Sequence, residues 1–178
     1  MSNSFRRCLY VLSTFMFYLL LPFGVVAEPH KPGAHEHGKA TLKIGYSGEQ
    51  LEIELVVPAA DLLGFERAPV SESEEKKVVA VKEILAEGRR LFSFPDAAHC
   101  SALERANVES DFAEGEGGHS DFEVIYRYKC SSLERFEVRL FSEFPAITSL
   151  TVELITDTEQ RAIVLLPPQS VVVVKGEG

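Results

Sequence analysis

The chain has 178 residues, with 18 Lys and Arg against 27 Asp and Glu, a formal charge of −9. An acidic chain without a Lys/Arg-rich tract lacks the electrostatic footprint of a nucleic-acid binder and is not drawn to anionic lipid. Its 46% hydrophobic content, with 12 Gly and 9 Pro, suits a packed globular protein and not a disordered one.

Arg6 and Arg7 precede a run without charged residues from Cys8 to Phe23, with Leu19-Leu20-Leu21 near its end, a break at Pro22 and Gly24, and the small residues Val25, Val26 and Ala27 beyond. That is the pattern of a secretory signal peptide cleaved after Ala27. A retained anchor needs about 20 apolar residues, more than this run supplies. Removing residues 1–27 from 178 leaves 151, and the 16 remaining cations against 27 anions give −11. The expected product is a periplasmic protein with no stable membrane insertion. It keeps all five histidines and two cysteines, Cys100 and Cys130. An even number of cysteines in an exported chain reads as one disulfide, and an oxidising compartment disfavours the alternatives of a thiolate metal site or a nucleophile.

Residues 28–38 (EPHKPGAHEHG) are rich in Pro, Gly and His without apolar periodicity, which predicts an extended arm. Ala40, Leu42, Ile44 and Tyr46 then alternate, Ser47-Gly48-Glu49-Gln50 supplies a turn, and Leu51, Ile53, Leu55 and Val57 alternate again: a hairpin ended by Pro58. A helical turn is expected over 59–65. Ser71 and Glu74 have the spacing of a capping box, and Val78, Val81, Ile84 and Leu85 recur at helical spacing, predicting one substantial helix over about 72–90. Residues 91–109 carry two short strand patterns, and the acidic, Gly-rich 109–118 reads as a mobile loop. Phe122, Val124, Tyr126 and Tyr128 alternate, as do Phe136, Val138 and Leu140 after a turn at Ser131-Ser132. A further hairpin follows over 148–166, then a tail strand over 171–174. The fold class is mainly β (α+β), with antiparallel hairpins in a sandwich-like arrangement and residues 39–178 as a single globular domain.

A shift of 82 residues places His37 on His119 and the strand 40–46 on 122–128. Period-2 alternation produces such agreement by itself, so duplication and coincidence both stand. Duplication makes two related halves, about 37–95 and 119–178, in a pseudo-twofold arrangement with each hairpin entered from a histidine.

His30, His35 and His37, with Glu28 and Glu36 among them, are the most chemically specific cluster. Imidazole suits Zn²⁺ and other first-row divalent metals, and a carboxylate or further histidine completes a tetrahedral shell. A solvated polar terminus is the competing reading. His119 heads a strand and becomes a candidate through the repeat, whereas His99, beside Cys100, reads as structural. The acidic loop lacks the spacing of a calcium loop. Phosphate-loop, HExxH and nucleophile-elbow motifs are absent from the sequence.

His35-Glu36-His37-Gly38 through Leu51-Glu52-Ile53-Glu54-Leu55, Pro58-Ala59, Gly64-Phe65-Glu66-Arg67-Ala68-Pro69, Ala98, Cys100, His119-Ser120-Asp121-Phe122, Tyr126, Tyr128, Cys130, Phe141 and Phe144-Pro145 resemble the ZrgA-type family of zinc-regulated periplasmic proteins. The resemblance covers nearly all of the chain after residue 27. It implies an exported zinc-binding accessory to zinc acquisition, partnered by a periplasmic uptake component, and not an enzyme. Two departures are visible: Arg67 stands where members commonly have histidine, and only Ala113-Glu114-Gly115-Glu116-Gly117-Gly118 replaces a long His/Asp-rich loop. The expected ligands are His35, His37 and His119, with His30 and Glu36 as further candidates. Two other readings compete with zinc capture: a metal-independent envelope interaction module, and a zinc hydrolase using Glu36 as base.

Overall fold

The computed structural model describes residues 36–110, 112 and 120–175. The expected signal peptide, His30, His35, residues 111 and 113–118 of the expected loop, and His119 lie outside the described residues, whereas Glu109 and Ser110, expected to open that loop, are in a strand because they pair with Glu123 and Phe122. Alternation builds the first hairpin as predicted: β1 (Lys39–Ser47) and β2 (Gln50–Pro58) pair antiparallel, with Thr41 opposite Val56 and Ser47 opposite Gln50. A period of two sends Leu42, Ile44, Leu51, Ile53 and Leu55 to one buried face, and Lys43, Glu52 and Glu54 to the other. After Pro58 the chain turns into α1 (Ala59–Leu63), which buries Leu62 and Leu63.

The predicted cap starts α2 (Glu72–Ala86). Ser71 Oγ accepts the Glu74 N–H at 3.3 Å, while Glu74 Oε2 accepts the N–H of Val70 at 2.7 Å, one residue before the expected partner. Val78, Val81 and Leu85 face the core. The helix expected to reach residue 90 breaks instead at Glu87, with φ −94° and ψ 76°, and a short α3 (Gly88–Leu91) resumes it. The cause is a close approach: a Cβ on Gly88 would lie 2.1 Å from Tyr128 Oη and 3.0 Å from Tyr126 Cδ1. Only glycine lets the backbone bend over those rings. Tyr126 Oη donates to the Leu85 carbonyl at 2.8 Å, and burial pushes its phenol well above the ordinary value, so it stays a donor.

The remaining elements are β3 (Phe92–Ser93), a 3-10 turn (Asp96–Ala98), β4 (Ser101–Ala102), β5 (Asn107–Ser110), β6 (Asp121–Lys129), β7 (Arg135–Val138), α4 (Leu140–Glu143), β8 (Ser149–Thr156), β9 (Gln160–Leu165) and β10 (Val171–Val173). A seven-stranded sheet runs β9-β8-β1-β2-β6, with β4 and β5 sharing the outer edge of β6. A three-stranded sheet runs β10-β7-β3. All pairings are antiparallel except β1 with β8. The inner face of the larger sheet packs on the smaller sheet and on α2 in one apolar cluster. This is the mainly β, sandwich-like arrangement expected, with one longer helix.

The alternation over 122–140 suggested a second hairpin, and the structure corrects it. Both edges of β6 are occupied, by β2 on one side and by β4 and β5 on the other, so β7 has no place beside it. The chain crosses the core instead: Leu133 is fully buried, its N–H donates to Tyr46 Oη at 3.1 Å, and β7 emerges in the smaller sheet. Leu140, expected to continue the strand, starts α4. Cys100 and Cys130 form the predicted disulfide, closing 30 residues between the start of β4 and the end of β6. Such a bond belongs to an oxidising, non-cytosolic compartment. Among the described residues no helix is long and apolar enough to cross a membrane.

Candidate metal centre at the start of two strands

The chain enters β1 through a turn in which the Lys39 N–H donates to the Glu36 carbonyl at 3.2 Å. Gly38 fixes this turn to the rest of the fold. Its N–H donates to Asp61 Oδ2 at 2.8 Å, and its carbonyl accepts from the N–H groups of Thr148 and Ser149 at 2.8 and 3.0 Å and from Thr148 Oγ1 at 3.2 Å. Its φ of 77° lies in the left-handed region, and a Cβ there would sit 2.8 Å from Thr148 Oγ1. Gly38→Ala is therefore expected to lower the unfolding free energy by about 1–2 kcal/mol, the cost of a left-handed non-glycine residue. Urea denaturation checks this; an unchanged midpoint refutes the anchoring role.

His37 stands at the tip of the turn, its side chain 66% exposed. Its Nδ1 lies 3.6 Å from Oε1 of Glu66, a carboxylate only 19% exposed. Glu36 contacts the Lys39 ammonium instead. The segment that carries Glu66 is tied down on both sides. Arg67 lies over the Phe65 ring at 5.3 Å and grips Glu74 with two hydrogen bonds of 2.8 and 2.9 Å. Those bonds and the Val70 N–H hold the Glu74 carboxyl down at about 2. Lys77 Nζ donates to the Leu63 carbonyl, joining α1 to α2. A guanidinium offers no lone pair to a cation, so Arg67 acts as a clamp and not as a ligand.

The larger sheet brings a second strand start to the same end. Thr41 pairs with Val56 and Val56 with Glu123, so β1 and β6 run in the same direction on either side of β2. Pro58 pairs with Asp121, and the Ala59 N–H donates to the carbonyl of the buried Ser120 at 2.8 Å. Two strand spacings separate the starts of β1 and β6, about 10 Å. His37 and His119 each precede their strand by two residues in the sequence. His119, His35 and His30 themselves lie outside the described residues. His99 is at the far end of β6, where Ser101 pairs with Lys129. Nine strand residues, about 30 Å, remove it from this end. Its neighbours are the 3-10 turn and the disulfide, in keeping with a structural position.

Among the described residues no group of three or more His, Cys, Asp or Glu side chains is arranged to hold a metal ion. His37 and Glu66 supply one imidazole and one carboxylate, donors that suit a borderline divalent cation. Glu66, Asp61 and Thr148 carry no local signal that would have marked them. Glu66 was visible only inside the Gly64–Pro69 segment of the resemblance, and Asp61 and Thr148 act on Gly38 from 23 and 110 residues away.

A disulfide-tied, mainly β protein with a histidine and a carboxylate at one end of its sheet is the class this geometry defines. Residues 34–174 match the ZrgA family of zinc uptake proteins, and the chain belongs to that family. No curated protein matches the chain. The family places the protein in zinc uptake.

Proposed function

We propose that this chain is an exported periplasmic protein that captures Zn²⁺ as cargo and passes it to an uptake component, without catalysing a reaction. In this reading residues 1–27 are removed as a signal peptide, residues 39–178 form one globular domain, and the ion is held by His35, His37 and His119. His30 and Glu36 are additional candidates from the same arm. The observation that supports it most is that β1 and β6, the strands that follow His37 and His119 in the sequence, start on either side of Pro58 at one end of the sheet. Ligation needs neutral imidazole, so binding releases protons and weakens on acidification.

Calorimetric titration of the metal-free protein with Zn²⁺ tests the proposal. The expected result is binding tighter than about 10 μM, a free energy beyond about −7 kcal/mol, that is lost when His35→Ala, His37→Ala and His119→Ala are combined. Absence of binding, or binding unchanged in the triple variant, overturns it. A metal-independent docking module then becomes the better reading.

A further inference from the structure

We infer that Glu66 is a metal ligand, so that the zinc site is a mixed imidazole–carboxylate site and not one built from histidines alone. The inference rests on the zinc-capture reading above and adds a residue to it. The separation of His37 Nδ1 and Glu66 Oε1 carries it. At 3.6 Å the two atoms are too far apart for a hydrogen bond, which spans about 2.7–3.2 Å between nitrogen and oxygen. They stand slightly beyond the spacing of two ligands of one ion. Zinc bonds of about 2.0–2.1 Å to nitrogen and 2.0–2.2 Å to oxygen, at a tetrahedral angle, set the donors about 3.3–3.5 Å apart. A cation between them needs a shift of only a few tenths of an ångström.

The backbone beside each donor is held by the fold. Gly38, next to His37, is held through both its amide and its carbonyl. Glu66 sits between α1 and the Arg67–Glu74 clamp, with its side chain mostly withdrawn from water. A half-buried carboxylate held in place loses less freedom on ligation than an exposed, flexible one such as Glu36. A carboxylate also sets specificity. It adds a negative charge and a hard oxygen, favouring Zn²⁺ and Co²⁺ over Cu⁺, which prefers thiolate and thioether.

The test uses the full chain after signal removal, wild type and Glu66→Gln, titrated with Zn²⁺ and then loaded with Co²⁺ for electronic spectroscopy. Glutamine keeps the shape of the side chain, and a thermal melt of each metal-free protein confirms equal folding. The expected result is a loss of zinc affinity of at least about tenfold in Glu66→Gln, the lower bound known for residues that support a metal site, together with an altered Co²⁺ ligand-field spectrum. Wild-type binding with an unaffected variant overturns the role of Glu66 and leaves zinc capture standing. Weakened affinity with an unchanged Co²⁺ spectrum also overturns it, because the carboxylate then acts only as a distant charge. Absence of zinc binding by the wild type overturns both readings. If Glu66→Gln melts early, Glu66→Asp provides the decision: a shortened ligand must change the Co²⁺ spectrum, and an unchanged one refutes ligation.

Discussion

Truncation of Phe136 to alanine is expected to lower the unfolding free energy by about 3–5 kcal/mol, the range for a buried phenylalanine whose surroundings cannot collapse into the space left. Phe136 is fully buried in β7 and lies 6.0 Å from Phe92 and 5.4 Å from Phe94, ring centre to ring centre. Those two rings in turn meet Tyr126 at 5.0 Å and Tyr128 at 4.8 Å on β6. The five rings pack together between β6 and β7, mostly edge to face, and each such pair is worth about 0.5–1.5 kcal/mol beyond the area it buries. Collapse is restricted because Tyr126 is held by its bond to the Leu85 carbonyl and Gly88 packs directly on the tyrosines. Phe136→Leu, closer in volume, is expected to cost less than half as much. Urea denaturation of the two variants measures the difference, and a Phe136→Ala loss below about 1 kcal/mol refutes the bridging role.

Removal of the disulfide by Cys100→Ala with Cys130→Ala is expected to cost about 3–4 kcal/mol. A cross-link over 30 residues removes that much loop-closure freedom from the unfolded chain in the entropy model. The bond does more than close a loop. It joins the 3-10 turn and β4 to the last residues of β6, where the Cys130 N–H donates to the Glu49 carbonyl at 2.8 Å and the Ser131 N–H to the Ala98 carbonyl at 2.9 Å. β4 has only two residues and could not hold this edge by pairing alone. The same loss should follow addition of a reductant to the wild type. Equal denaturation midpoints with and without reductant would contradict the prediction. The proposed zinc site is at the other end of β6, so zinc affinity in the folded double variant should stay within about threefold of the wild type.

Much of the architecture was legible locally. Period-2 alternation gave β1, β2 and β6 with their buried faces, because a strand half covered by a core must place its apolar residues on one side. Ser71 and Glu74 marked the start of α2, since a cap is a short-range exchange of hydrogen bonds. The break at Glu87 was not legible: its cause is the Tyr128 hydroxyl, 40 residues beyond Gly88. Neither was the fate of β7. Its alternation is the same whether it pairs with β6 or with β3, and only the prior occupation of both edges of β6 decides between them.

The candidate site divides in the same way. Which histidines exist, and that His37 and His119 each stand two residues before an alternating strand, is a property of the sequence alone. So is the pairing of an even number of cysteines in a chain with an export signature. That the starts of β1 and β6 share one end of the sheet depends on β2 lying between them, and the partnership of His37 with Glu66 depends on α1 turning the chain back after Pro58. Residue type and periodicity are short-range and survive in any reading of the chain. Strand neighbours and ligand distances are long-range, because competition for sheet edges and core space is resolved only when the whole chain packs.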